Sequence, residues 1–289
     1  MNKKTKGIFF IISAAFFFAL MGAFVKLAGD VPFMQKSFFR NFIALIIAFG
    51  ILKKSNIDFK PQRKNIKLLI LRSTLGTMGL LGNFYAIDHL RLLADASMLQ
   101  KLSPFFTIIF SFFFLKEKVK LYQILCVIGA FIGSIFVIKP SGDFDVFPAI
   151  VAVVGAMGAG SAYTAVRGLT SRGEKGPIIV FFFSAFSCLV TLPYIIFSYS
   201  PMTLEQFLFL ICAGIAAAGG QFSVTAAYSN APAKEISIYD YSQVMFSALF
   251  GFFMLGGELP DEYSLLGYFI ICAVSVIMFI LNNRTPKTE

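Results

Sequence analysis

Long apolar runs alternate with short polar connections from one end of this chain to the other. Ten runs are visible, and each is about as long as the 18–20 apolar residues that a helix needs to cross a bilayer. The predicted spans cover residues 7–28, 34–53, 66–87, 92–115, 121–138, 147–167, 177–198, 205–228, 235–256 and 263–282. No connection is long enough to form a soluble domain. The chain is therefore predicted to be an all-α integral membrane protein with ten transmembrane helices.

Composition agrees with this prediction and narrows the possible partners. The 289 residues are 57% hydrophobic and only 14% charged, whereas a soluble domain carries about 25% charged residues. The four cysteines lie inside apolar runs, without a close Cys or His neighbour, so neither a disulfide framework nor a zinc site is expected. The net charge of +10 resides mainly in short connections. We therefore expect a lipid bilayer as partner, with no nucleic acid, no metal and no cofactor.

Basic residues also predict the orientation in the membrane. If the N-terminus is cytoplasmic, most of the 25 Lys and Arg residues lie in cytoplasmic segments, as the positive-inside rule requires. Both termini are therefore expected on the cytoplasmic side of the cell membrane. Arg40, Arg72 and Lys101 depart from this distribution, because they lie within predicted spans.

The two halves of the chain, residues 1–140 and 146–284, resemble each other. Lys26 in AFVKL aligns with Arg167 in TAVRG, and the same offset places Glu117 in FFFLKEK on Glu258 in FFMLGGE. Five spans per copy is an odd number, so the second copy would cross the membrane in the opposite sense. Inverted repeats of this kind are typical of secondary transporters, whose substrate site lies near the midplane. The alternative is a chance similarity between apolar helices.

Two long stretches resemble the EamA-type family of the drug/metabolite transporter superfamily. They are YAIDHLRLLADASMLQKLSPFFTIIFSFFFLKEK in the first half and AYSNAPAKEISIYDYSQVMFSALFGFFMLGGE in the second. The resemblance covers about residues 7–283. It implies two inverted five-helix repeats around a central cavity, lined chiefly by the first, third and fourth helices of each half. The segment PAKEISIYDYSQV is more polar and richer in tyrosine than the family usually is at that position.

Lys101 lies about nine residues into the fourth span, or roughly 13 Å deep at 1.5 Å per residue. A charge at the bilayer centre costs about 2.5–3.5 kcal/mol on insertion scales, so it normally faces a cavity or a partner. Helical spacing places Lys101 on one polar face with Ser97, Gln100 and Thr107. Asp240 in the ninth span is the expected counter-charge. A structural ion pair that joins two helices and a direct contact with solute remain alternatives.

Further polar residues are expected to bind substrate in the same cavity. The predicted substrate-binding residues are Asn83, Gln100, Lys101, Tyr163, Gln221, Tyr239, Asp240 and Tyr241. Buried amides need partners in lipid, and the tyrosine rings offer walls for a planar or cationic group, unless they merely pack. Arg40 either anchors an anion or snorkels to the surface, and Arg72 is expected to snorkel. Structural roles are expected for Glu117 and Glu258.

These features predict a secondary transporter that moves a small polar organic metabolite, amino-acid-like or carboxylate-bearing, by alternating access. No motif of a nucleotide-binding loop or hydrolytic enzyme is present. The alternatives are an integral-membrane enzyme acting on a lipid or prenyl substrate, and a scaffold or receptor-like protein. Coupling to protons or to a counter-solute stays open, as does the choice between a monomer and a homodimer.

Overall fold

The computed structural model describes residues 3–90, 93–115, 120–138, 146–231, 236–256 and 261–284, and within these ranges helices joined by short connections form, without β-strands. The α-helices are α1 (Lys3–Leu27), α2 (Phe33–Lys54), α3 (Ile66–His89), α4 (Leu93–Gln100), α5 (Ser103–Leu115), α6 (Leu121–Ile138), α7 (Val146–Ser171), α8 (Gly176–Ser198), α9 (Leu204–Asn230), α10 (Ser242–Leu255) and α11 (Glu262–Arg284). Short 3-10 helices form at Arg63–Asn65 and Ser237–Tyr241. Glu117 and Glu258 lie outside the described residues.

Six helical segments within the described ranges are long and apolar enough to cross a membrane. They are Lys3–Leu27, Phe33–Lys54, Asp95–Phe114, Val146–Ser171, Gly176–Ser198 and Leu204–Asn230. Six of the ten predicted spans are thereby supported. The other four predictions fall on helices α3, α6, α10 and α11. Of these, α3 carries Arg72 and several glycines, and α11 contributes a shorter apolar stretch, Leu265–Met278.

The surface of this bundle is far more apolar than the surface of a soluble protein. Large apolar side chains such as Leu189, Phe113 and Phe253 are about two-thirds or more exposed, at 67%, 67% and 73%. Arg40 and Lys101, by contrast, are almost completely buried. An apolar exterior with the charged side chains buried inside is the arrangement that a lipid solvent favours, since unpaired polar groups are costly in hydrocarbon.

The predicted fourth span is a broken helix rather than a continuous one. Helix α4 ends at Gln100, and α5 begins at Ser103. Pro104 explains the break, because its ring clashes with the carbonyl of the residue four positions earlier, which is Gln100. The backbone carbonyl of Lys101 instead accepts a hydrogen bond from the Tyr241 hydroxyl at 2.8 Å. Leu99 and Phe106 in this span are buried, as Lys101 is, whereas Phe113 near its end is exposed.

Helices of the two halves pack against each other through glycines. Where α3 crosses α7, a side-chain carbon at Gly79 would lie 2.7 Å from the backbone nitrogen of Ala159. Where α1 crosses α9, the glycines Gly219 and Gly220 instead accommodate the rings of Phe17 and Phe18. Small residues allow this close approach where no hydrophobic effect drives helices together in lipid.

The direction of the helices follows from contacts at the two ends of the bundle. Gly7, near the start of α1, contacts Ala231, and Arg167, near the end of α7, donates to the Tyr228 carbonyl at 3.3 Å. We call this end the near face. At the far face, Lys26 donates to the carbonyls of Ile87 at 2.8 Å and Leu90 at 2.6 Å. Helix α1 therefore begins where α7 ends.

Candidate functional site

A buried cavity of about 70 Å³ lies inside the bundle, between helices from both halves. Its wall contains the side chains of an unusual number of charged and amide residues for a membrane interior. The lining residues are Phe18, Met21, Arg40, Arg72, Gly76, Gly79, Leu80, Asn83, Gln100, Lys101, Ser103, Ala159, Ala162, Tyr163, Phe183, Gln221, Asp240 and Gln243. Buried polar and charged side chains from several helices thus meet at this cavity.

Lys101 and Asp240 form an ion pair across the two halves. Lys101 Nζ lies 2.6 Å from Asp240 Oδ2, and both residues are buried. Each stands at an interruption of its helix: Lys101 follows the end of α4, and Asp240 belongs to the 3-10 turn that precedes α10. The predicted counter-charge is therefore in place. The ion pair is the structural alternative that the sequence left open, and because both residues also line the cavity, a contact with solute stays a prediction.

Arg72 is held inside the cavity wall by α8 and α9. Its NH2 group donates to Gln221 Oε1 at 3.0 Å, and its guanidinium carbon lies 3.8 Å from the centroid of the Phe183 ring. Gly76 makes room for it, since a side-chain carbon there would lie 2.7 Å from Arg72 NH1. Arg72 is only 1% exposed. The expectation that Arg72 snorkels to the surface was therefore wrong.

Arg40 approaches the same cavity from α2. Its NH1 group donates to Asn41 Oδ1 at 2.6 Å, and its guanidinium carbon lies 5.9 Å from the centroid of the Phe183 ring. The side chain is 1% exposed, so the snorkelling alternative is excluded for Arg40 as well. Arg40, Arg72 and Lys101 thus all line the same cavity.

The cavity brings together six of the eight predicted site residues. These are Asn83, Gln100, Lys101, Tyr163, Gln221 and Asp240. Tyr241 and Tyr239 are not among the residues that line it. The Tyr241 hydroxyl bonds to the Lys101 carbonyl while its ring contacts Phe105, and Tyr239 packs against an apolar cluster. The aromatic surface of the cavity comes from Tyr163, which was predicted, and from Phe18 and Phe183, which were not.

A signal for Arg72 was present in the sequence. The residue shares a helical face with Gly76, Gly79 and Asn83, and all four line the cavity. The position of Arg72 near the end of its span favoured snorkelling, whereas its position around the helix axis, on the face with Asn83, indicated that it faces the protein interior. The position around the helix was the better guide, since it decides whether a side chain meets lipid or protein.

Two sets of hydrogen bonds join the halves at opposite faces. At the near face, Glu174 accepts from Asn65 Nδ2 at 2.8 Å and from the Gln62 backbone nitrogen at 3.3 Å. At the far face, the Gln35 side-chain amide donates to the Ser200 carbonyl at 2.8 Å and accepts from the Ser200 nitrogen at 2.9 Å. We call these sets the near latch and the far latch. Both are formed together in this structure.

Comparison with known proteins gives consistent results. The sequence model of the EamA-like transporter family matches residues 5–139. The chain is 31% identical to the pseudopaline exporter CntI of Pseudomonas aeruginosa, with 97% of both chains covered. It is 26% identical to the human solute carrier family 35 member G1, covering 93% of this chain and 78% of that protein. The riboflavin transporter of Vibrio cholerae is 24% identical, with coverages of 98% and 95%.

The fold also matches one that has been solved experimentally. A crystal structure superposes on this chain with a TM-score of 0.75, covering 98% of this chain and 100% of that one. Sequence identity is 14%, so the match concerns the fold alone.

Proposed function

Because the chain belongs to the EamA-like transporter family, we propose that it is a secondary transporter that moves a small polar organic metabolite across the cell membrane by alternating access. The family membership confirms the resemblance noted in the sequence and makes the chain a transporter rather than an enzyme. The proposed solute is amino-acid-like or carries a carboxylate. Its identity, its site and the mechanism below are parts of the proposal.

The observation that carries the proposal is the charged cavity at the breaks of two helices. Transporters commonly bind substrate where discontinuous helices meet near the midplane, because the freed backbone groups and charged side chains can reach the solute there. Lys101 and Asp240 both lie at such breaks and line the cavity. In this proposal they provide charge, Asn83, Gln100 and Gln221 provide hydrogen bonds, and Tyr163 provides an aromatic wall.

An inverted repeat is part of the same proposal, and helix packing supports it. If residues 1–140 and 146–284 are equivalent, the α1–α9 contact is the counterpart of the α3–α7 contact, and both are extensive. Likewise the α1–α10 contact is the counterpart of the α5–α7 contact. The opposite directions of α1 and α7 fit an odd number of spans in each copy. On this reading both termini lie on the cytoplasmic side.

The caps of α3 and α9 support the repeat at atomic detail. Lys26 donates to the Ile87 carbonyl, and Arg167 donates to the Tyr228 carbonyl. The offset from Lys26 to Arg167 equals the offset from Ile87 to Tyr228. Each half thus uses a basic residue at the end of its first helix to cap its third helix.

The size of the cavity supports alternating access rather than a permanently open site. Ligand pockets usually measure about 300–1,000 Å³, and this cavity measures about 70 Å³. A metabolite therefore needs the halves to separate at one face. The near and far latches are the contacts that would break in turn, since one closes each face.

Exchange across sealed vesicles tests the proposal. Purified protein is reconstituted into proteoliposomes loaded with one solute from a panel of amino acids, carboxylates, pseudopaline and riboflavin, and uptake of the labelled solute is measured. We expect counterflow of at least one polar solute, lost in Gln221→Leu and kept in Phe253→Leu, whose side chain faces outward. Loss of counterflow for every solute with folded protein would contradict transport.

A further inference from the structure

Two buried guanidinium groups in the cavity have no charge partner in the described part of the chain. The ion pairs found there involve Lys36 with Asp88 and Lys101 with Asp240, and neither Arg40 nor Arg72 takes part. Arg40 Nε, Arg72 Nε and Arg72 NH1 also have no hydrogen-bond partner. A buried charge without a partner is costly. A ligand of opposite charge would offset this cost for both guanidinium groups.

The two groups are close enough to act on one ligand. The guanidinium carbon of Arg40 lies 5.9 Å and that of Arg72 lies 3.8 Å from the centroid of the Phe183 ring. The two guanidinium carbons are therefore at most about 10 Å apart. Lys101 and Asp240 neutralise each other. The lining therefore keeps an excess of two positive charges, one on Arg40 and one on Arg72.

We propose that Arg40 and Arg72 form an anion-binding subsite and that the transported solute is an organic dianion, carrying two carboxylates or one phosphate ester. The inference rests on the proposed transport function and adds the class of substrate. A guanidinium group offers a planar fork of donors that matches carboxylate and phosphate oxygens. A dianion balances the excess charge and supplies acceptors for the three unpaired N–H groups.

A purely structural role for Arg72 accounts for less of the geometry. Its contact with Phe183 and its bond to Gln221 use one face and one nitrogen of the guanidinium. Arg72 lines the cavity, and its Nε and NH1 atoms are buried without a hydrogen-bond partner. Gly76 makes room for NH1 itself, because a side-chain carbon there would lie 2.7 Å from it. The arrangement holds Arg72 firmly while leaving its donors available.

Thermal unfolding of the purified full-length protein with matched probes tests the charge requirement. Succinate, its monoamide and its diamide have similar size and carry two, one and no negative charges, and methyl phosphate supplies the phosphate alternative. We expect succinate or methyl phosphate to raise the melting temperature, the monoamide to raise it less, and the diamide to leave it unchanged. The larger of the two dianion shifts identifies the chemistry. A shift with the diamide as large as that with the more effective dianion, or no shift with either dianion, would overturn the proposal.

Substitutions distinguish binding from a structural role. In Arg72→Gln and Arg40→Gln we expect at least about tenfold weaker dianion binding and an unchanged or higher melting temperature without ligand, because an uncompensated charge is removed. Arg63→Gln, at an exposed position, serves as control. Gly76→Ala keeps all charges and should weaken dianion binding by displacing Arg72. Variants that unfold at lower temperature yet retain dianion affinity would refute the subsite.

Vesicle exchange with the same solutes separates this inference from the transport function. Exchange of neutral or zwitterionic solutes without dianion binding would support the transport function and contradict the proposal that the solute is a dianion. Dianion binding that requires Arg40 and Arg72, with no solute crossing a sealed bilayer, would support the subsite and contradict transport.

Discussion

Lys101 and Asp240 would each be costly alone at this depth in the bundle. Together they form a short hydrogen-bonded pair, at 2.6 Å, in which the carboxylate offsets the ammonium. Pairs of this kind contribute little net stability, yet breaking one by removal of a single partner costs about 3–5 kcal/mol. The pair therefore links folding to the proposed binding site, because the same two side chains line the cavity.

Lys101→Met is expected to lower the free energy of unfolding by about 3–5 kcal/mol, since it leaves the Asp240 carboxylate buried without its partner. Adding Asp240→Asn should restore most of the stability but not transport, because the cavity loses both charges. Melting temperature and vesicle uptake of the single and double variants check this, with the exposed Lys54→Met as control. Recovery of transport in the double variant would show that the pair is only structural.

The Lys26 ammonium plays a different part, because its partners are backbone carbonyls at the end of α3. Lys26→Met leaves the Ile87 and Leu90 carbonyls without this donor, and we expect a loss of about 1–3 kcal/mol in unfolding free energy. Arg167→Met should cost less, since Arg167 makes one longer bond, at 3.3 Å. Denaturation in detergent measures both, with Lys6→Met as an exposed control. An Arg167 variant less stable than the Lys26 variant would contradict these cap assignments.

Among the helices, the broken fourth span matters most for the site. The break frees the Lys101 carbonyl for Tyr241 and sets the Lys101 side chain opposite Asp240. Pro104 causes the break, because its ring clashes with the carbonyl of Gln100, four residues earlier. Continuous helix through this region would change the direction of the Lys101 side chain relative to α10.

Pro104→Ala is therefore expected to join α4 and α5, to leave the melting temperature unchanged or raised, and to lower transport severely. The increase in stability follows from the helix propensity of alanine over proline, about 3 kcal/mol within a helix. Pro193→Ala is the matched control, because Pro193 lies inside α8 on the exposed surface. Normal uptake by the Pro104 variant would separate the break from the transport cycle.

Periodicity predicted which segments form helices and which face of the fourth span is polar. The similarity of the two halves indicated Asp240 as the partner of Lys101, because it places Asp240 at a similar depth and charges in lipid need partners there. Periodicity did not predict that Arg72 lies inside, since depth along a helix does not say which neighbours surround it. The position of Phe183 could not be predicted either. In an apolar span with many phenylalanines, the sequence does not distinguish a ring that faces lipid from one that contacts a guanidinium group.

At the scale of the bundle, the near latch and the far latch are both formed, and the cavity between them measures about 70 Å³. Glu174 and Gln35 each join one half to the other, on opposite sides of the cavity. In the proposed cycle these contacts break alternately, so that the same cavity residues meet water from one side and then from the other. A receptor or scaffold has no need of such two-sided exposure.

Labelling of one cavity cysteine from each side of the membrane tests this account of alternating access. In a variant whose four native cysteines are replaced, Ala162→Cys places a thiol on the cavity wall, and Leu189→Cys places one on the lipid-facing surface. A membrane-impermeant thiol reagent is applied to sealed vesicles of each orientation. We predict that the cysteine at 162 reacts from both sides, that bound solute slows the reaction, and that the cysteine at 189 does not react. Reaction of the cysteine at 162 from one side only, with or without solute, would contradict alternating access through this cavity.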